Sequence, residues 1–181
     1  AVILAEEIGR AAMPTPLTST LQTTYVLKAA GSPANNWLAR IVEGQAASLA
    51  IQPHDGSHLP DSTTIVVKDG RLSGTASFVQ DVQKTDFLVV AAKESGQTKL
   101  YALNTATEGV SVQFDKIVDL TRDQGRVTFD GAAAECIAED GAKVLAAAMP
   151  AILTLIAADV AGGCEWLMQA TAEYASVRTQ F

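Results

Sequence analysis

GGCEWLMQATAEYASVRTQF, residues 162–181, continues a helical pattern that runs to the end of the chain. Apolar or small residues recur every three or four positions from Ile152 onward, as one face of an α-helix requires. This stripe comprises Ile152, Ile156, Val160, Gly163, Leu167, Ala170, Tyr174, Val177 and Phe181. Small residues lie around its middle and predict that a second helix approaches closely there: Ala157, Ala158, Ala161, Gly162 and Gly163.

The region before this stretch is also helical in pattern. Residues 141–149 are rich in alanine, so we expect long helices over 138–181. The uncharged run from Val144 to Ala158 is shorter than the roughly 18 residues that a bilayer requires, and it contains Pro150. It therefore predicts a buried core helix rather than a membrane span.

Residues 46–130 have the pattern of short strands, rich in valine, phenylalanine and threonine. Turn residues such as Asp69-Gly70 and Ser95-Gly96 separate them. The candidate strands are 47–51, 63–67, 72–79, 86–92, 98–103, 109–114 and 125–129. This spacing predicts a mostly antiparallel barrel or sandwich.

Residues 1–44 resemble short helical pieces interrupted by Pro14, Pro16 and the turn Gly31-Ser32-Pro33. Helices, then strands, then long helices is an α+β order rather than an alternating one. We divide the chain into 1–44, 45–135 and 136–181. It starts without an initiator Met and ends inside a helical pattern, so we expect a piece of a longer protein.

Composition excludes several classes of function. The net charge of −7 argues against nucleic acid and anionic membrane surfaces. Cys136 and Cys164 lack metal-site or redox spacing, and no signal-peptide pattern is present. His54 and His58 lack a third histidine or paired cysteines to complete a metal site, and the Gly-x-Ser-x-Gly motif of serine hydrolases is absent. Trp37 and Trp166 are most simply core residues.

Residues 162–181 are similar to the start of the C-terminal helical domain of acyl-CoA dehydrogenases. The Gly-Gly pair, Tyr174 and the final Arg-x-Gln-Phe have the spacing of that family. Residues 74–79 and 85–92 resemble the family's central strands, and residues 52–58 stand where it has Thr-Glu-Pro-x-Ala-Gly-Ser-Asp. Residues 6–10, followed by two prolines, resemble the end of its N-terminal domain. The resemblance covers nearly the whole chain in the right order.

This resemblance implies a fold of short helices, then an antiparallel β-barrel domain, then a helical bundle. It implies FAD-dependent α,β-dehydrogenation of an acyl-CoA thioester, in fatty acid or steroid degradation. It also implies a cytoplasmic oligomer, homomeric or heteromeric, that passes electrons to an electron-transfer flavoprotein or a similar acceptor.

The resemblance also implies the site residues. Phe78, Val79 and Gln80 would lie along the flavin ring with Ile51, and Ser57 would lie near the pantetheine arm or pyrophosphate of the substrate. Arg178, Gln180 and Phe181 would reach the FAD of a neighbouring subunit. Without the resemblance, these residues fit an ordinary strand end, a polar turn and a solvated helix end.

Three positions depart from the family pattern. Ile51 replaces the usual Thr, Gln52 replaces Glu, and Gln80 stands where a hydroxyl usually lies beside the flavin. In the family, the catalytic Glu comes from a later helix or from a position corresponding to about Ile152, which cannot ionise. We therefore expect no catalytic base in this chain. A non-catalytic subunit of the same fold and a flavin oxidase or monooxygenase of the same superfamily remain alternatives.

Overall fold

The computed structural model describes residues 1–57, 59 and 61–180. Three helices precede the strands: α1 (Val2–Arg10), α2 (Leu17–Ala30) and α3 (Asn35–Val42). One long helix follows them, α4 (Gly141–Val177). The strands are β1 (Ala47–Ala50), β2 (Val66–Lys68), β3 (Arg71–Gln80), β4 (Phe87–Glu94), β5 (Gln97–Asn104), β6 (Val110–Phe114), β7 (Gln124–Ala133) and β8 (Glu135–Ala138). The predicted α+β class is confirmed.

The sheet has the order β6-β7-β3-β2-β4-β5-β8, and β1 pairs with β4 in parallel. Most neighbours are antiparallel, although β2 also meets β4 in parallel through Val66 and Lys93. Just beyond β1, Gln52 bridges to Ser77 of β3. The strands β3, β2, β4 and β1 therefore form a closed ring. Its β1–β4 and β2–β4 contacts are parallel, so the sheet is mixed where a mostly antiparallel barrel or sandwich was predicted.

Strand β4 separates two hydrophobic cores. Phe87, Val89 and Ala91 face the first core, which includes residues of α2, α3 and α4. Leu88 and Val90 face the second core, inside the sheet. Because both faces of β4 are buried, its sequence is almost continuously apolar rather than alternating.

Two hairpins form at the predicted turn pairs. Asp69-Gly70 joins β2 to β3, and Ser95-Gly96 joins β4 to β5. All four of these residues have positive φ, as a two-residue type I′ turn requires. Strand β8 was not predicted, since its four residues lack an alternating pattern.

Long helices were expected over 138–181, and the described part of this region forms one helix of 37 residues, α4. The Asp140 side chain accepts a hydrogen bond of 3.1 Å from the Lys143 backbone N–H and caps its start. Pro150 lies inside the helix without ending it. The Thr154 hydroxyl donates to the Pro150 carbonyl at 2.7 Å, one turn further along.

Helix α4 meets α1 through glycines. A Cβ added to Gly162 would lie 1.9 Å from the Glu6 carbonyl oxygen, and one added to Gly9 would lie 1.8 Å from that of Asp159. The two backbones are therefore in direct contact, which confirms the close helix approach predicted from the small residues. Arg122 fixes the same region, since one of its terminal nitrogens donates to both Asp159 carboxylate oxygens at 2.7 and 2.9 Å.

The distal part of α4 is exposed. Of the described residues in the predicted apolar stripe, only Ile152 is buried, while Val160, Leu167, Tyr174 and Val177 are exposed. Trp37 is a core residue as predicted, but Trp166 is 53% exposed. The buried face is instead formed by residues such as Leu145, Leu155 and Ala158, which pack on the β domain and on α1 and α2.

Helix α4 is also long and apolar enough to cross a membrane by length and composition. Its most apolar window has a mean hydropathy of 2.1, and 22% of that window is buried within the described chain. The length argument against a membrane span, made from the uncharged run alone, therefore does not hold. The first half of the helix packs against the protein core.

Candidate functional site

A cleft of about 680 Å³ lies between the rim of the β barrel and α4. One wall carries Ile51, Phe78, Gln80 and Gln124. Leu145, Met149, Ile152, Leu153 and Ile156 of α4 form the opposite wall. Four of the residues predicted to bind cofactor or substrate, namely Ile51, Ser57, Phe78 and Gln80, thus line one cavity.

A β-bulge in β3 directs Phe78 into the cleft. Ala76 pairs with Val127 and Val79 pairs with Gly125, so β3 has one extra residue over this interval. Phe78 has φ +57° and is 38% exposed. A left-handed conformation is unfavourable for an aromatic residue, and such strain is often retained at functional sites.

The bulge also decides the position of Val79, which is fully buried in the second core and does not line the cleft. The predicted segment 78–80 therefore contributes the Phe78 and Gln80 side chains, while the Val79 side chain packs inside the barrel.

The loop after β1 lines part of the cleft. The Ser57 backbone N–H donates to the Asp55 carboxylate at 2.9 Å, which fixes the turn. Gly56 has φ +75°, and a Cβ added there would lie 3.9 Å from Cε2 of Phe78. The loop backbone therefore lies close to the Phe78 ring, with Ser57 at the cleft surface.

The predicted residues at the end of α4 do not join this cleft. Arg178 and Gln180 are exposed, and the Arg178 guanidinium carbon lies 5.3 Å from the centre of the Tyr174 ring. Phe181 and His58 lie outside the described residues. A cofactor that contacts Arg178 or Gln180 must therefore be bound outside this cleft, either in another subunit or elsewhere in the protein.

The described residues that line the cleft carry no formal charge. Among the described residues that line it, none carries a carboxylate, imidazole, ammonium or guanidinium group. Ile152, the position expected to correspond to a family base, lies in the α4 wall and is 6% exposed. The described part of the site can therefore bind and shield a reacting group, but its side chains cannot abstract a proton.

Three polar residues of the cleft were not singled out from the sequence. Gln22 comes from α2, Ser48 from β1 and Gln124 from β7. Gln124 donates through its amide nitrogen to the Asp115 carboxylate at 3.3 Å. Their separation along the chain gave no motif, and only the packing of α2 against β1 and of β7 against β3 brings them together.

Buried charge lies just outside the cleft, at the end of β3. Burial raises the pKa of Asp81, and the neighbouring Asp123 carboxylate raises it further. A hydrogen bond with Ser19 lowers this pKa, as do the positive charges of Lys84 and Arg122. The Lys84 ammonium lies 3.2 Å from the Asp123 carboxylate.

The cleft fits a flat, largely apolar ring system with hydrogen-bonding edges. Phe78 offers an aromatic surface, α4 offers an aliphatic wall, and Gln80 and Gln124 offer amides. Nothing charged among the described lining residues would neutralise a pyrophosphate, so that part of FAD requires cations from elsewhere. Among the described residues, no group of His, Cys, Asp and Glu side chains is arranged to hold a metal ion.

Several solved structures have a fold similar to that of this chain. A steroid ACAD variant is 25% identical, with a TM-score of 0.85 over 99% of this chain and 50% of its own. Butyryl-CoA dehydrogenase from Megasphaera elsdenii is 19% identical, with a TM-score of 0.86 over 99% of this chain and 53% of its own. The ChsE4-ChsE5 complex from Mycobacterium tuberculosis is 23% identical, with a TM-score of 0.85 over 99% of this chain and 50% of its own.

These similarities show the acyl-CoA dehydrogenase fold, as the resemblance of the sequence to that family implied. The chain spans about half the length of the solved chains that it matches. No protein-family model and no curated protein matches the sequence.

Proposed function

We propose that this chain, which has the acyl-CoA dehydrogenase fold, forms the flavin- and acyl-binding part of an FAD-dependent acyl-CoA dehydrogenase. The observation that carries the proposal is the convergence of Ile51, Ser57, Phe78 and Gln80 on one largely apolar cleft. FAD, when bound there, supplies a hydride acceptor for α,β-dehydrogenation of the thioester.

The residues of this chain would bind and shield the reactants. Phe78 and the aliphatic wall of α4 would hold the flat ring and exclude water, and Gln80 would offer hydrogen bonds to its edge. Ser57 would bind the pantetheine arm or pyrophosphate of the substrate, because its loop backbone approaches the cleft at Gly56. The proton-abstracting carboxylate would come from outside the described cleft.

The same proposal extends to the cellular location, the electron acceptor and the assembly of the protein. We place the protein in the cytoplasm, in fatty acid or steroid degradation, and we expect an electron-transfer flavoprotein or a similar acceptor. An oligomer would bring Arg178, Gln180 and Phe181 of one subunit to the FAD of another. One structural neighbour is a steroid ACAD and another is the ChsE4-ChsE5 complex. They support steroid chemistry and a hetero-oligomer as the first cases to test.

A non-catalytic subunit of the same fold is the second candidate. The absence of an ionisable side chain among the described cleft residues favours it. Such a subunit would pair with an active homologue and retain the cleft for structure or CoA binding. Flavin absorbance of the intact protein, purified alone and after co-expression with its genomic neighbour, separates the two candidates.

The binding role is tested with Phe78→Asn in the intact protein. Asn tolerates the left-handed conformation that strains Phe78, so we expect unchanged or slightly higher thermal stability, by up to about 1 kcal/mol. We also expect several-fold lower flavin content by absorbance, because the aromatic surface is lost.

Ser95→Asn is the matched control. Ser95 also has positive φ, at +51°, but lies in the β4–β5 hairpin outside the cleft lining. We expect it to raise stability through the same backbone effect and to leave the flavin content unchanged. Equal flavin retention by Phe78→Asn and the wild type would contradict the assignment.

A further inference from the structure

A row of three polar residues crosses neighbouring strands at the rim of the barrel. Gln80, the last residue of β3, pairs with Gln124, the first residue of β7. Asp115 comes directly after β6 and lies opposite Gln124, because its backbone N–H donates to the Gln124 carbonyl at 3.1 Å. Residues opposite each other on neighbouring strands extend from the same face of a sheet. The row therefore continues the cleft wall, to which Gln80 and Gln124 belong, outward to Asp115.

Asp115 fixes the orientation of the Gln124 amide. The Gln124 Nε2 donates to the Asp115 carboxylate at 3.3 Å. A carboxylate only accepts hydrogen bonds, so the reversed amide would bring two acceptor oxygens together. The backbone hydrogen bond between the two residues keeps both side chains at this spacing. The amide nitrogen is therefore held by Asp115, and the Gln124 Oε1 is the end that remains for a ligand.

The Gln124 Oε1 is an accessible acceptor. It receives no hydrogen bond within the part of the chain that the structure describes. It is also not among the fully buried side-chain atoms that lack a partner, so it retains contact with solvent. No ammonium or guanidinium group is found among the described residues of the cleft wall. A neutral N–H donor of a ligand is therefore the group that this oxygen fits.

The neighbours of Gln124 indicate which ligand supplies that donor. Phe78 and Gln80, to which we assign the flavin ring, come from β3, the strand that pairs with β7. The pyrimidine edge of a flavin carries one imide N–H between two carbonyl oxygens. Gln124 offers an acceptor for the N–H, and the Gln80 amide beside it offers a donor for one flanking carbonyl. The two glutamines together match this donor and acceptor pattern.

We propose that Gln124, positioned by Asp115, recognises the flavin ring by accepting a hydrogen bond from its imide N–H. Gln124 is then a specificity-determining residue, and Asp115 is a positioning residue that keeps the amide from reversing. A ring without this N–H would leave the acceptor unpaired in the cleft and would bind less tightly. This inference rests on the proposed function, because it takes the cleft to be a flavin site.

Titration of the intact protein, freed of flavin, with FAD and with FAD methylated at the imide nitrogen tests the inference. The change in flavin fluorescence reports the two dissociation constants, and no turnover is needed. We expect the wild type to bind FAD roughly tenfold more tightly than methyl-FAD, the range of one well-placed hydrogen bond. Gln124→Leu should bind the two flavins with equal affinity, because it has no acceptor. Asp115→Asn should reduce the preference several-fold, since asparagine can both donate and accept and lets the Gln124 amide reverse.

Asp130→Asn is the matched control for Asp115→Asn. Asp130 is an exposed residue of β7, the strand that carries Gln124, and it does not line the cleft. This variant should retain the wild-type preference for FAD.

Equal affinity of the wild type for the two flavins would overturn the inference while leaving the proposed function intact. A preference that persists in Gln124→Leu would also overturn it, because the bulk of the methyl group would then explain the difference. An unchanged preference in Asp115→Asn would overturn the positioning role of Asp115. Failure of FAD itself to bind would overturn the proposed function and this inference with it.

Discussion

Asp81 shows how one residue at the edge of the cleft makes stability depend on pH. Burial raises its pKa, so the folded state favours the protonated carboxyl more than the unfolded state does. Its stabilising contribution is therefore present below the ordinary aspartate pKa and is lost as pH rises through the raised value. We expect Asp81→Asn to be more stable than the wild type at neutral pH, with a difference that disappears in acid.

Asp119→Asn provides a control of opposite sign. The Thr121 hydroxyl and backbone N–H both donate to the Asp119 carboxylate and lower its pKa. Removing this charge should reduce stability slightly at neutral pH, and again the difference should disappear in acid. Thermal melts of both variants at neutral and acidic pH measure the effect. If Asp81→Asn were less stable than the wild type at neutral pH, the folded protein would have to stabilise the charged Asp81 carboxylate.

At the scale of elements, the contact between α1 and α4 depends on Gly162. An alanine there would place its Cβ within 1.9 Å of the Glu6 carbonyl oxygen and 2.8 Å of the Arg10 nitrogen. Both are backbone atoms, so the helices must separate. We expect Gly162→Ala to lower the free energy of unfolding by about 1–3 kcal/mol or more, as overpacking does. Chemical denaturation measures this loss.

Gly163→Ala isolates the steric effect from the general preference of helices for alanine. The nearest atom to its added Cβ is the Gly9 carbonyl oxygen at 3.7 Å, an ordinary contact. This variant should gain up to about 1 kcal/mol, because alanine is the better helix former. Similar stability changes in the two variants would refute the close contact at Gly162.

The elements also show what sequence patterns can predict. Strands flanked by Asp69-Gly70 and Ser95-Gly96 were predictable, because alternation and positive-φ turn residues act locally. The bulge at Phe78 was not, since it is decided by the pairing of β3 with β7 rather than by residues nearby. The continuity of α4 through Pro150 depends likewise on packing against the rest of the protein.

The candidate site likewise contains residues that the sequence could predict and residues that only the packing reveals. The resemblance located Ile51, Ser57, Phe78 and Gln80, which the fold brings together in one cleft. Gln22 gave no sequence signal, because one glutamine in a helix rich in threonine is unremarkable until its burial is known. The proposed domain boundaries at 44 and 135 remain a prediction. Strand β8 continues the sheet to Ala138, just beyond the second boundary.

At the scale of the whole molecule, the exposed end of α4 is the part that a flavin in another subunit would contact. The described chain places no carboxylate within ion-pair distance of Arg178, and its guanidinium lies over the Tyr174 ring. We expect Arg178→Ala in the intact protein to lower flavin content several-fold and to leave the Tm within about 1–2 °C, because the residue is exposed.

Arg178→Lys distinguishes the paired hydrogen bonds of a guanidinium from the effect of its positive charge alone. A guanidinium can pair with pyrophosphate oxygens through two parallel hydrogen bonds, whereas an ammonium acts as a point charge. The lysine variant should therefore retain an intermediate amount of flavin, measured by absorbance per mole of protein. Wild-type flavin content in the alanine variant would remove Arg178 from the cofactor site.

The lack of charge among the described cleft residues leads to a prediction about turnover. Removal of an α-proton requires a base near the substrate, and the described lining residues offer none. We expect the chain of 181 residues, reconstituted with FAD, to show no dye-coupled dehydrogenation of acyl-CoAs of several chain lengths. Turnover by this chain alone would show that the active site has been misplaced.

Ile152→Glu tests the same point by adding the missing group, because Ile152 faces the cleft from α4. Burial should raise the pKa of the introduced carboxyl, so any activity should increase as pH rises and the base ionises. Ile152→Gln is the control, since it has the same size and polarity but cannot accept the proton. Activity that depends on pH in the Glu variant and is absent in the Gln variant would show that the cleft positions substrate correctly and lacks only the base. Equal activity in both variants would place proton abstraction elsewhere.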